Sequence, residues 1–127
     1  MSLNRYRVSA QIPVADLARA IEFYEGRLGL TAGERQHDGS RSYDCGGGTT
    51  LYVYESPEHA GKASATVARF DVDDLDAVVD ELIGRGVVFE QFLLPTPTDA
   101  RGVHATAYGW VAWFKDPDGN TFALEQT

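Results

Sequence analysis

Ile12-Pro13-Val14-Ala15-Asp16-Leu17 carries an apolar, strand-like stretch into an aspartate, and Phe70-Asp71-Val72-Asp73-Asp74-Leu75 repeats the transition 58 residues later, Asp16 matching Asp74. An aspartate at such a junction accepts hydrogen bonds from the free N–H groups of a first helical turn, so each marks a helix start. Behind Asp16, Leu17, Ala20, Ile21, Tyr24 and Leu28 recur at helical spacing until Gly29. Behind Asp74, Leu75, Val78, Val79, Leu82 and Ile83 do the same until Gly86. Two copies of one structural unit are therefore predicted.

Working outward, Tyr6 to Pro13 and Thr66 to Val72 read as the strands that precede the two helices. Three further strands follow each helix: Gly33 to His37, Arg41 to Cys45 and Thr49 to Glu55 in the first half, and Val87 to Phe92, Gly109 to Lys115 and Asn120 to Gln126 in the second. The last two are joined by Asp116-Pro117-Asp118-Gly119, in which proline presets one corner and glycine accepts positive φ. The reading is one α+β domain over 1–127, with half one at about 5–56, a linker at 57–63 and half two at about 64–127. Two βαβββ repeats would form a cup-shaped, mostly antiparallel eight-stranded sheet with both helices outside, its concavity a natural ligand site. Leu93 to Tyr108 is long for a connection, which suits a loop over a pocket or an extended edge or subunit contact.

Composition narrows the classes. With 43% apolar residues the chain of 127 residues is expected to fold, and no run approaches the roughly 20 apolar residues of a membrane helix. A soluble, cytoplasmic protein is expected, since Met1 to Arg7 shows no signal pattern. Nineteen acidic against eleven basic residues give a net charge of −8, which repels phosphate backbones and speaks against nucleic acid. That charge serves solubility or attracts cationic ligands. Cys45 is the only cysteine, so it forms no internal disulfide and no Cys-based metal spacing, and reads as a half-buried strand residue. Gly46-Gly47-Gly48 lacks the lysine and helix start of a phosphate loop, and Asp71, Asp73, Asp74 and Asp76 surround a helix N-terminus rather than a calcium ion.

Val14-x-Asp16-Leu17, Ala20-Ile21-x-Phe23-Tyr24, Leu28-Gly29-Leu30 and Phe114-x-Asp116-Pro117-Asp118-Gly119-Asn120, set in a repeat that covers nearly the whole chain, resemble the vicinal oxygen chelate superfamily of glyoxalase I, extradiol dioxygenases and bleomycin-resistance proteins. The resemblance implies the paired βαβββ cup. In metal-dependent members it implies four ligands on the inner face, one on the first and one on the last strand of each half. Those positions fall here at Ser9, Tyr52, Val67 and Ala123, which supply no competent first-row metal ligand. The expectation is a site with neither metal nor cofactor.

Strand alternation places Gln11, Tyr54, Arg69 and Glu125 on the same inner face as the vacated positions. Gln11 donates and accepts, Arg69 binds a carboxylate or offsets Glu125, and Tyr52 and Tyr54 offer flat surfaces with hydroxyl ends. Trp113 is placed facing inward across the hairpin from Ala123, and Trp110 is left open. His104, in the long loop, suits an acid or base near neutral pH, whereas His37 and His59 read as turn residues. The resulting expectation is a metal-independent protein, similar to the bleomycin-resistance branch, that sequesters a small aromatic or cationic molecule in its cup, partners with neither nucleic acid nor membrane, and works as a homodimer. Two alternatives stand beside it: a lyase, isomerase or dioxygenase-type enzyme, and an interaction module whose cup is filled by its own side chains.

Overall fold

The computed structural model describes residues 2–35, 38–92 and 97–127. The expected turn residue His37, the end of the expected strand Gly33 to His37 and the start of the Leu93 to Tyr108 segment lie outside the described residues.

Strand β1 (Ser9–Val14) leads into helix α1 (Leu17–Ile21), which continues as a π-helical turn over Glu22–Arg27. Strands β2 (Ala32–Arg35), β3 (Arg41–Asp44) and β4 (Thr50–Glu55) complete half one. Half two follows with β5 (Thr66–Asp71), α2 (Leu75–Gly84), β6 (His104–Ala105), β7 (Trp110–Lys115) and β8 (Thr121–Gln126). The eight strands form two four-stranded mixed sheets with matching orders, β1-β4-β3-β2 and β5-β8-β7-β6. In each, the first strand runs parallel to the last and the remaining pairs are antiparallel. The sheets lie side by side at β1 and β5.

Both helices start where the sequence places them. The Asp16 carboxylate accepts from the N–H groups of Ala18 (2.9 Å) and Arg19 (3.3 Å), and that of Asp74 from Ala77 (3.1 Å). Asp76, in the same acidic run, holds the guanidinium of Arg101 together with Asp80. Gly29 and Gly86 close the helices with φ of 74° and 92°. The repeat shows in their surroundings too: Arg85 covers Gly29 and Arg27 covers Gly86, each guanidinium standing where a side chain on the opposite glycine would.

One assignment needs correcting. Val87 to Phe92 was expected as a strand, but only Phe89 bridges β7, at Phe114, with the Glu90 N–H donating to the Trp113 carbonyl at 2.8 Å. The strand lies instead at His104–Ala105, inside the stretch expected to be a connection, paired with Val111 and Trp110. The six-residue edge of β7 is thus shared by two chain segments. Neither matches its full length, so period-two patterning identifies neither cleanly.

Side chains alternate between a buried face under the helices and an open face. Ile12 and Val14 of β1, Leu51 and Val53 of β4, Ala112 and Phe114 of β7 and Phe122 and Leu124 of β8 are buried with Ala20, Tyr24, Leu75 and Val79 of the helical segments in one contiguous core that includes both halves. The Asp116 to Asn120 turn ties the halves together. Asp116 Oδ2 accepts from the Tyr24 hydroxyl at 2.7 Å and from Asn120 Nδ2 at 2.8 Å, and Asn120 Nδ2 also donates to the Pro13 carbonyl at 2.9 Å. Among the described residues, no helix is long and apolar enough to cross a membrane.

Candidate functional site

The open face of each sheet carries its own set of polar and aromatic side chains. In half one, Gln11 of β1, Tyr52 of β4 and Ser42 of β3 stand in register across three strands, with Tyr54 beside them opposite Pro13. They alternate with buried Ile12, Leu51, Val53 and Tyr43. The Tyr52 and Tyr54 rings stack with centroids 6.0 Å apart, and Gln11 Nε2 donates to Ser9 Oγ at 3.1 Å. Two half-buried phenols and an amide make a flat surface that also offers hydrogen bonds.

In half two the rows are His104–Val111–Glu125–Asp71 and Trp113–Ala123–Arg69, read across β6, β7, β8 and β5. Arg69 reaches Asp71 at 2.9 Å and Glu125 at 3.4 Å, so the ion pair expected between Arg69 and Glu125 forms with a third partner. All three side chains keep contact with water, which screens their attraction. Trp113 faces the open side, half-buried, with Phe92 edge-on at 5.2 Å and the His104 ring tilted at 6.2 Å. Among the described residues, His104 Nδ1 is the buried side-chain polar atom that lacks a hydrogen-bond partner.

The structure therefore gathers the candidates into two groups, Gln11, Tyr52 and Tyr54 on one sheet and Arg69, His104, Trp113 and Glu125 on the other. Among the described residues, no hydrogen bond or ring contact joins the groups. Trp110 lies outside both, half-exposed beside Gln126 and the N-terminus of α2. His59 bonds Ser56 Oγ at 2.8 Å within its own turn. The Cys45 thiol is half-buried and its pKa is raised, chiefly by that burial, so it is a poor nucleophile.

A cavity of about 630 Å³ lies at the hairpin end of the second sheet, lined by Gly61 to Thr66, Phe92, Trp113, Lys115, Gly119 and Thr121. Lys115 and Thr121 were within reach of sequence reasoning, because they sit two residues from Trp113 and Ala123 on the same face. Phe92 and Lys62 were not, since one ends an irregular segment and the other lies in the linker. A smaller apolar space of about 180 Å³ lies on the helix side among Leu28, Leu30, Phe70, Val78 and Leu82.

The four strand positions from which metal-dependent relatives would hold an ion present one aliphatic hydroxyl, one phenol and two hydrocarbon side chains. Ser9 is exposed, Tyr52 and Val67 are half-buried and Ala123 is buried. That donor set does not fit a first-row metal. Among the described residues, no three His, Cys, Asp or Glu side chains gather as a metal-holding group.

This geometry is similar to that of known proteins. The family model of the Glyoxalase/Bleomycin resistance protein/Dioxygenase superfamily matches residues 5–124. TnmS3, an antibiotic binding protein from Streptomyces sp. CB03234, superposes with a TM-score of 0.74 at 28% identity, covering 95% of this chain and 94% of its own. A glyoxalase/bleomycin resistance protein from Catenulispora acidiphila DSM 44928 gives 0.72 at 30% identity, covering 95% and 97%. A second glyoxalase/bleomycin resistance protein from Streptomyces sp. CB03234 gives 0.70 at 27%, covering 95% and 100%. No curated protein matches the chain.

Proposed function

The chain belongs to the Glyoxalase/Bleomycin resistance protein/Dioxygenase superfamily, and on that premise we propose that it sequesters a small aromatic or cationic molecule on the open faces of its sheets, without a metal and without transforming it. The observation that carries this reading is the aromatic lining: Tyr52 stacked with Tyr54 on one sheet, Trp113 flanked by Phe92 and His104 on the other. Large flat side chains left half-exposed together offer apolar contact with little loss of side-chain freedom. Glu125 and Asp71 share one guanidinium, Arg69, and so leave net negative charge for a cationic group on that face, while the separate cavity of about 630 Å³ at the hairpin end falls within the usual range of small-molecule sites. The antibiotic-binding name of TnmS3 adds support by analogy.

In this proposal the chain acts as one domain in the cytoplasm and as a homodimer, which would let the open face of one half be completed by a partner's. The test is a thermal-shift screen of aromatic and cationic compounds in chelator-treated buffer. At a ligand concentration 100 times its Kd, stabilisation of about 2.7 kcal/mol is expected, a rise of several degrees. A broad screen without a stabilising compound would remove the reading's support.

A second reading has one observation in its favour. His104, with its unpartnered Nδ1, and Glu125 stand on the same face, as an acid and base for a metal-free lyase or isomerase would. Turnover that disappears in His104→Gln while binding persists would establish it.

A further inference from the structure

The charge around the 630 Å³ cavity runs against the rest of the chain. Nineteen acidic and eleven basic residues make the protein strongly negative, yet among the described residues the cavity's charged lining consists of Lys62 and Lys115 alone. The Lys115 ammonium lies 3.3 Å from Glu90, which is outside the lining. That of Lys62 makes no ion pair or side-chain hydrogen bond among the described residues. Ser64, Thr66 and Thr121 add hydroxyl groups to the wall. In the same lining, Trp113 and Phe92 stand with rings 83° apart at 5.2 Å, a two-sided aromatic corner.

From this arrangement we infer that the cavity takes an aromatic anion, its ring system in the Trp113–Phe92 corner and its acidic group directed to Lys62 and Lys115. The inference rests on the binding reading above and adds the sign of the ligand's charge at this end of the sheet. An ammonium is a strongly hydrated point charge that accepts a carboxylate, sulfonate or phosphate oxygen from many directions, and the neighbouring hydroxyls complete that oxygen's hydrogen bonds. A cationic group at the same place would meet the Lys62 ammonium, which no carboxylate offsets among the described residues, beside a Lys115 that Glu90 offsets in part. The pair also sorts ligands along the face, since acidic groups gain at the hairpin end and cationic groups gain near Glu125 and Asp71.

The test compares three probes of nearly equal shape, 2-naphthoate, 2-naphthamide and 2-naphthylmethylammonium, by titration calorimetry against the full chain. The order expected is carboxylate tighter than amide by about fivefold, the gain typical of partly exposed charge pairs, and amide tighter than ammonium. In Lys62→Gln/Lys115→Gln the ratio of carboxylate to amide affinity falls to about one, and 0.5 M salt lowers that ratio in the unaltered chain. Trp113→Leu weakens all three. Amide binding with no preference for the carboxylate, or a preference that survives in the double variant, overturns this inference and leaves the binding reading standing. Failure of all three probes to bind overturns this inference, and the broad thermal-shift screen then decides the binding reading.

Discussion

The Tyr24 hydroxyl, on the π-helical turn of half one, donates a 2.7 Å hydrogen bond to Asp116 Oδ2 in the β7–β8 turn of half two. Tyr24 is fully buried and Asp116 nearly so. Asp116 also receives Asn120, which in turn holds the Pro13 carbonyl. The halves are joined by a polar relay sealed inside apolar packing against Phe23 and Phe122.

Removing one member leaves its partners a hydrogen bond short in a buried site. Tyr24→Phe is expected to lower unfolding free energy by about 1.5–3 kcal/mol, the worth of one hydrogen bond to a carboxylate, with little loss of volume. Urea denaturation checks it, and Asn120→Leu should cost at least as much because two acceptors lose their donor. Unchanged stability in both variants would remove the relay from the account.

The same pair makes a pH prediction. Burial, and after it the negative charge of Asp116, hold the Tyr24 phenol well above its ordinary value near 10. Below pH 10 both folded and unfolded chains keep the proton, and the contribution is complete. Above it the unfolded chain releases a proton that the folded chain retains, so stability falls by about 1.4 kcal/mol per pH unit for this one group until the folded phenol titrates. Denaturation midpoints from pH 9 to 11.5 should fall less steeply in Tyr24→Phe than in the unaltered chain.

Much of this architecture was legible in the sequence, because its signals are local. Asp16 and Asp74 cap the helices they were read to cap, the paired repeat appears as two sheets of matching order, and Asp116 to Asn120 forms the turn its residues demand. The split edge was not legible. Val87 and Phe89 are buried beside exposed Val88, a strand-like alternation, but Phe89 makes only one bridge before the chain leaves β7 and His104 returns to it. Pairing between segments fifteen residues apart in sequence depends on where each leaves the edge, which no pattern of residue types records. For the site, alternation placed Gln11, Tyr52, Tyr54, Arg69, Trp113 and Glu125 on open strand faces, while the cavity's Phe92 and Lys62 come from irregular chain that has no period to read.

Arg101 offers a prediction about that irregular chain. Its guanidinium bridges Asp76 and Asp80 of α2, and Asp99 Oδ1 accepts from the N–H groups of Arg101 and Val103. Arg101→Gln should speed amide hydrogen exchange at Val103 and His104 by about fivefold, as loss of roughly 1 kcal/mol of partly exposed ion pairing implies, while the protection of β8 stays unchanged. Equal acceleration in β8 would mean that the contact stabilises the whole fold instead of this segment.

Gly61 is tied to the hairpin: its N–H donates to Asn120 Oδ1 at 3.2 Å, its φ is 65°, and a methyl group would collide with the Asp118 carbonyl. Gly61→Ala should destabilise the protein by about 2 kcal/mol or more, combining left-handed strain with backbone displacement. Thermal unfolding measures it, with Gly46→Ala, where a methyl group meets open space, as a control expected near neutrality.

The central claim is that a ligand is held by aromatic and polar side chains alone. Its most direct measurement is a calorimetric titration of the most stabilising compound into chelator-stripped chain, repeated with one equivalent of zinc, iron, nickel or manganese. Affinity unchanged within about twofold in every case is the predicted result. Binding that appears only with a metal, or tightens tenfold with one, would contradict the account.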